Sequence, residues 1–191
     1  MSELIESIFR EYDIRGIFPD ELNEDSIAKI AQSIAHKCNK ESVDEVVIAR
    51  DGRLSGPSLL ESLQKSLNAN GINTINLGLA TSPLLYYAAK KQPSKSGIMI
   101  TGSHNPKNYN GIKLVIDDKP VSGTEIFGLS KTDLSSGNSK GENRFLDIKD
   151  DYITEVKNSF NFKKFKVVID CGNGAAGIIA PDLLRAVGCE V

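Results

Sequence analysis

A switch of hydrophobic period recurs along most of the chain. Residues 23–40 (NEDSIAKIAQSIAHKCNK) put Ile27, Ile30, Ala31 and Ile34 on one face of a helix. Residues 43–49 (VDEVVIA) are short, apolar and β-branched, as a buried strand should be. Residues 55–70 return to the helical period through Leu59, Leu63 and Leu67, with Pro57 near the start and Gly71 as the stop. A strand over 73–77 follows, then a helix over 82–91 with Pro83 in its first turn, then a buried-type strand over 97–101 (GIMIT). Residues 111–117 (GIKLVID) read as a strand that a polar turn joins to Pro120 and Val121, and a short helix over 124–131 closes the unit. This rhythm specifies a layered α/β domain. The connection between the strands at 97–101 and 111–117 is too short for a parallel crossover, so the sheet is expected to be mixed.

Residues 132–143 (TDLSSGNSKGEN) are rich in Ser, Gly and Asn and read as a loop. A linking helix over 148–160 and a fresh strand over 165–170 (FKVVID) should follow. After CGNGAAG comes a helix with Pro181 in its early part and Gly188 as its stop. The last residues, Cys189, Glu190 and Val191, look like another strand opening, and a strand start without partners suggests a piece of a longer protein. The expected division is a first domain over 1–145, then a linker helix and the incomplete start of a second, similar domain over 146–191.

Composition narrows the function classes. With 23 basic and 25 acidic residues the formal charge is −2, so there is no bulk field to attract nucleic acid or a membrane surface. No apolar run approaches the ~20 residues of a membrane span, and the start, with Glu3, Glu6 and Arg10, does not resemble a signal peptide. Cys38, Cys171 and Cys189 are odd in number and far apart, which fits a reducing cytoplasm better than a disulfide framework.

The chemistry concentrates in Thr101-Gly102-Ser103-His104-Asn105-Pro106, between two expected strands. Gly102 permits a sharp turn, and Pro106 disfavours helix for Asn105. Ser103 is thus presented at a strand end, where α/β sheets commonly bind ligands. A serine hydroxyl is a weak nucleophile without a proton acceptor or stabilising charge. His104 is adjacent and suits proton traffic near neutrality. Lys113, in the next strand, is near enough to bring positive charge to a phosphate. A Ser-His pair alone more often just faces solvent, Arg15 beside Asp13 could be a weak surface ion pair, and Lys113 could mark a strand's solvent face.

The full hexapeptide resembles the phosphoserine loop of the α-D-phosphohexomutase family, T-(A/G)-S-H-N-P, at every position. Residues 9–16 (FREYDIRG) look like the family's opening motif in the form typical of its bacterial phosphomannomutase/phosphoglucomutase branch. Residues 50–56 (RDGRLSG) are similar to its first strand-to-helix turn, Asn110-Gly111-Ile112-Lys113 to the strand after the serine loop, and 170–174 (DCGNG) to its second-domain opening. The resemblance implies a three-layer α/β/α domain followed by the truncated start of a second. It also implies a cytoplasmic, monomeric isomerase of carbohydrate metabolism. That enzyme would interconvert hexose 1-phosphate and 6-phosphate, of mannose, glucose or both, through phosphoserine and a sugar bisphosphate. It makes Ser103, His104, Lys113 and Arg15 catalytic, and places Tyr12, Arg15, His104 and Lys113 against the substrate. Asp51, Arg53, Asn105 and Asn110 become a supporting layer. Mg²⁺ would meet Ser103 through its phosphate oxygen, its carboxylate ligands lying beyond residue 191, since no D-x-D-x-D run is present. Two other readings stand beside it. Residues 172–177 (GNGAAG) fit a dinucleotide fingerprint, and Ser103 could be a kinase-regulated switch.

Overall fold

The structure, a computed structural model, describes residues 4–132 and 140–191. After a 3-10 turn at Glu6–Ile8 the chain forms β1 (Ile14–Ile17), α1 (Glu24–Lys40), β2 (Glu45–Arg50), α2 (Gly56–Ala69), β3 (Asn73–Leu79) and α3 (Ser82–Lys91). Next come β4 (Gly97–Ile100), β5 (Tyr109–Ile116), β6 (Lys119–Val121) and α4 (Gly123–Ser130). Then follow β7 (Asn143–Phe145), α5 (Lys149–Ser159), a 3-10 turn at Ala175–Ile178 and α6 (Ala180–Ala186).

Local chemistry explains the element ends. Asn23 caps α1 reciprocally: its side chain accepts the Ser26 N–H at 3.0 Å while Ser26 Oγ accepts the Asn23 N–H at 2.8 Å. Thr81 caps α3, and Pro83 occupies its first turn. Gly71, at φ +85°, takes the left-handed conformation just after α2.

The sheet runs β1-β5-β4-β2-β3-β7, with β6 on the same edge of β5 as β1. β2 is parallel to β3 and β4, and β3 is parallel to β7. β5 is antiparallel to β1, β4 and β6. The sheet is therefore mixed, for the reason read from the sequence: only the eight residues 101–108 separate β4 from β5. Alternation along the strands feeds two cores. Val46, Ile48, Ile98, Ile100, Ile112 and Leu114 pack with the apolar faces of α1, α2 and α4. Val47, Ala49, Ile75 and Met99 pack with Leu84, Leu85 and Ala88 of α3. Ile27, Ile30 and Ile34 of α1 are fully buried, each contributing about 1.5–3 kcal/mol. The architecture is thus three-layered, helices on both faces of one sheet.

Two strands escaped the period argument. β1 and β7 span only four and three residues, too short for an alternating pattern to show. One expectation is corrected. Residues 165–170 do not form a strand, making a single parallel bridge between Lys166 and Glu190. Val168 is 97% exposed, so the apolar run has no neighbouring ladder or core to hold it as sheet. Of the loop expected over 132–143, residues 133–139 lie outside the described residues. After β7, Ile148 and Ile179 are the buried apolar side chains, both in the α3-side core. α5 lies on α3 through a Tyr87–Tyr152 edge contact at 5.2 Å and a Lys91–Glu155 ion pair at 2.6 Å.

Candidate active site

The loop 101–108 leaves β4 at the centre of the sheet and returns as β5. Its conformation is set by Asp51 and Arg53, in the turn between β2 and α2. Asp51 Oδ2 accepts the Thr101 hydroxyl at 2.7 Å and the Gly102 N–H at 3.2 Å. Arg53 lies across the loop and donates to four carbonyls: Nη1 to Pro106 (2.6 Å) and Tyr109 (2.9 Å), Nη2 to Ser103 (3.0 Å) and Asn105 (2.7 Å). A planar, permanently charged fork suits this task. Gly102 is required by that approach, since a Cβ built on it would run into the Arg53 guanidinium. Asn105 closes the turn by donating from Nδ2 to the Gly102 carbonyl at 2.8 Å.

Ser103 sits at the apex with φ +52°, a left-handed conformation uncommon for serine. Its N–H donates to Thr101 Oγ1 at 2.9 Å and its carbonyl accepts from Arg53. Its hydroxyl is exposed and lies 3.3 Å from His104 Nδ1. Ser103, Asn105 and Lys107 line a cavity of about 790 Å³, with Met99 beneath and Asn173 from the second segment alongside.

A second group stands on the same face of the sheet. Asp13, only 5% exposed at its side chain, takes both cations on one oxygen: Arg15 Nη2 at 2.7 Å and Lys113 Nζ at 3.5 Å. Ile14 and Ile112 point into the α1/α2 core. Their strand neighbours Arg15 and Lys113 therefore project from the opposite face. In register Lys113 lies across from Met99, which lines the cavity, while α3 packs mainly on β2 and β4. Asp13–Arg15 is thus not the exposed surface pair considered from sequence.

The structure therefore joins Ser103, His104, Asp51, Arg53 and Asn105 into one bonded constellation, and Arg15 and Lys113 into another. Among the described residues no hydrogen bond links the two. Asn110 is fully buried and supports the loop's return, donating to Ser55 Oγ at 2.8 Å and accepting the Gly111 N–H at 2.9 Å. Tyr12 is 79% exposed. Thr101, Asp13 and Ser55 received no role from sequence. The signal available for Asp13 was its alternate spacing with Arg15 on a short strand. The dinucleotide fingerprint loses its context, because residues 172–177 follow no strand and their last three lie in the 3-10 turn Ala175–Ile178 rather than opening α6 directly.

Residues 6–127 match the family described as phosphoglucomutase/phosphomannomutase, alpha/beta/alpha domain I. The chain belongs to that family. It is 42% identical to a phosphomannomutase/phosphoglucomutase of Pseudomonas syringae pv. tomato over 98% of its own length and 41% of that relative's. It is 36% identical to a phosphoglucomutase of Neisseria gonorrhoeae over all of its length and 43% of that protein's. A crystal structure of a phosphoglucomutase/phosphomannomutase family protein from Burkholderia thailandensis superposes with a TM-score of 0.90 at 35% identity, covering 98% of this chain and 43% of the other. The chain thus spans about two-fifths of the length of these family members. Among the described residues, no helix is long and apolar enough to cross a membrane.

Proposed function

We propose that this chain is the phosphoserine-bearing part of a phosphohexomutase that interconverts hexose 1-phosphates and 6-phosphates, of mannose, glucose or both, through a sugar bisphosphate. One observation carries the reading: Ser103 has its N–H bonded to Thr101 and its carbonyl to Arg53, while its hydroxyl faces an open cavity 3.3 Å from an imidazole. Phosphate carried on Ser103 passes to a sugar hydroxyl by forming the sugar O–P bond as the serine O–P bond breaks. The hydroxyl's proton leaves to a base, and the serine oxygen recovers a proton from an acid. His104 is the proton carrier in contact with that oxygen. Phosphoserine adds ≈ −1.5 to −2 of charge. Arg15 and Lys113, two cations against one Asp13 carboxylate, leave positive charge on the cavity's side of the sheet to meet the phosphates. Tyr12 is assigned to the substrate's approach. Asp51, Arg53, Asn105 and Asn110 hold the loop.

Magnesium belongs to this reading only in part. Among the described residues no three His, Cys, Asp or Glu side chains gather as a metal site. Asp51, the carboxylate of the loop, is occupied by Thr101, Gly102 and Arg53. These residues do not hold a divalent cation by themselves, since such sites use several oxygen ligands. Ser103 could add one oxygen through its phosphate, and the carboxylates are expected beyond residue 191. The first domain is proposed to run to residue 145. The full-length protein is proposed to be cytoplasmic and monomeric, with a hexose phosphate as its partner and no nucleic acid or membrane.

Ser103→Ala in a full-length protein carrying this sequence should abolish hexose phosphate interconversion while the fold persists. Wild-type turnover in that variant would refute the assignment. A kinase switch is separated by the phosphate source: Ser103 should accept phosphate from a sugar bisphosphate with no ATP present. The 191-residue chain alone should show negligible turnover.

A further inference from the structure

The unexplained feature of the site is how a serine is kept at φ +52°, a left-handed conformation that strains an L-residue. Arg53 accounts for one side of the peptide, holding the Ser103 carbonyl. The other side rests on Thr101, which is 7% exposed. Its hydroxyl has a single proton. A carboxylate only accepts and a backbone N–H only donates, so that proton must point to Asp51 Oδ2 while a lone pair receives the Ser103 N–H. Both directions are fixed, and Asp51 polarises the hydroxyl towards accepting. Asp51 Oδ2 also holds the Gly102 N–H, so one oxygen anchors the two residues that precede Ser103.

We propose that Thr101 is a positioning residue for phosphoryl transfer, its hydroxyl locking the Ser103 N–H so that the serine side chain alone faces the cavity. This rests on Ser103 as the phosphoryl carrier. With its amide committed to Thr101, Ser103 gives the transferring phosphate no backbone donor. The charge on that phosphate is then met by groups other than the Ser103 amide. Loss of the Thr101 hydroxyl should then misdirect the serine oxygen without weakening substrate binding.

The test compares Thr101→Val, which keeps the shape, with Thr101→Ser, which keeps the hydroxyl. In the ¹⁵N-labelled 191-residue chain, hydrogen exchange of the Ser103 amide should quicken roughly tenfold in Thr101→Val, the upper end for one lost hydrogen bond. It should stay within about threefold of wild type in Thr101→Ser. Protection of the Thr101 N–H, bonded to the Gly111 carbonyl at 2.9 Å, reports whether the sheet is intact. In the full-length enzyme Thr101→Val should lower kcat about tenfold with KM unchanged, and Thr101→Ser should restore it. Unchanged Ser103 exchange in Thr101→Val would overturn the proposal, as would a serine variant no better than valine. Should Thr101→Val fail to fold, Thr101→Ser decides alone, loss of Ser103 protection being the contrary result. The amide readout needs no turnover. Failure of the phosphohexomutase reading shows separately, as wild-type Ser103 that never carries sugar-derived phosphate.

Discussion

Arg53→Ala is the sharpest perturbation of the serine loop, because one side chain makes four of its long-range bonds. The bonds to Ser103 and Pro106 are solvent-exposed, so water replaces those donors at small cost. Those to Asn105 and Tyr109 are partly buried, and hydrogen bonds from a charged donor contribute about 1.5–3 kcal/mol each. Allowing half of the sum for relaxation gives a loss of about 1.5–3 kcal/mol, or a Tm lower by roughly 3–12 °C for a chain of this length. Arg53→Lys separates charge from shape. An ammonium can reach one or two of the four carbonyls, so lysine should recover less than half of the loss. The assay is thermal denaturation of the 191-residue chain, with hydrogen exchange of the Asn105 and Tyr109 amides, which close turns within the loop at 3.0 Å each. Both amides should lose protection in Arg53→Ala. A Tm within 1 °C of wild type, or full rescue by lysine, would refute the view that a planar fork organises this loop.

Three further outcomes follow from the packing. Burial pushes the Cys38 thiol up to about 12, so at pH 8 a thiol reagent should label Cys171 and Cys189 and reach Cys38 only on unfolding; rapid labelling of Cys38 would contradict the α1 core. Gly111→Ala places a Cβ against the Ile14 backbone carbonyl and should cost about 1–3 kcal/mol by forcing β1 from β5, whereas a loss under ~0.5 kcal/mol by urea denaturation would contradict the close pairing. The bond from Lys91 holds the Glu155 carboxyl below its ordinary 4.5 with help from Tyr87, and Glu155 raises Lys91 above 10.5. The tie between α3 and α5 is thus complete between those values. It is lost as pH falls through the depressed Glu155 pKa, and again as pH rises through the raised Lys91 pKa. Weakening of the Tyr87–Tyr152 ring contact in acid, with α1 amides still protected, checks this; a contact unchanged after Glu155 itself has titrated would count against it.

The sequence made the layers legible wherever a face was long enough to repeat. Ile27, Ile30 and Ile34 announced α1, and Leu59, Leu63 and Leu67 announced α2; all are fully buried. The short β4–β5 connection made the antiparallel pairing readable from sequence. β1 was hidden because its four residues include Arg15 and Gly16, which carry no strand signal. Residues 165–170 carried a strand signal that packing does not fulfil, since β structure depends on neighbours that a local pattern does not contain. At the site, the hexapeptide located Ser103, His104 and Asn105. The clamp from Asp51 and Arg53 spans about fifty residues, and the burial of Asp13 between Arg15 and Lys113 depends on β1 meeting β5. Asp51 and Thr101, like Asp13 and Lys113, lie far apart in sequence, so the roles of Thr101 and Asp13, though not their presence, emerge only from the folded arrangement.

The most direct measurement is a label chase on the full-length protein. Ser103 is charged with ³²P from a sugar bisphosphate, then excess unlabelled hexose 1-phosphate is added. The label should leave Ser103 for the sugar within the time of turnover, with none acquired by a Ser103→Ala control. Label that stays on the serine through many turnovers, or a control that charges equally, would contradict phosphoryl transfer through this residue.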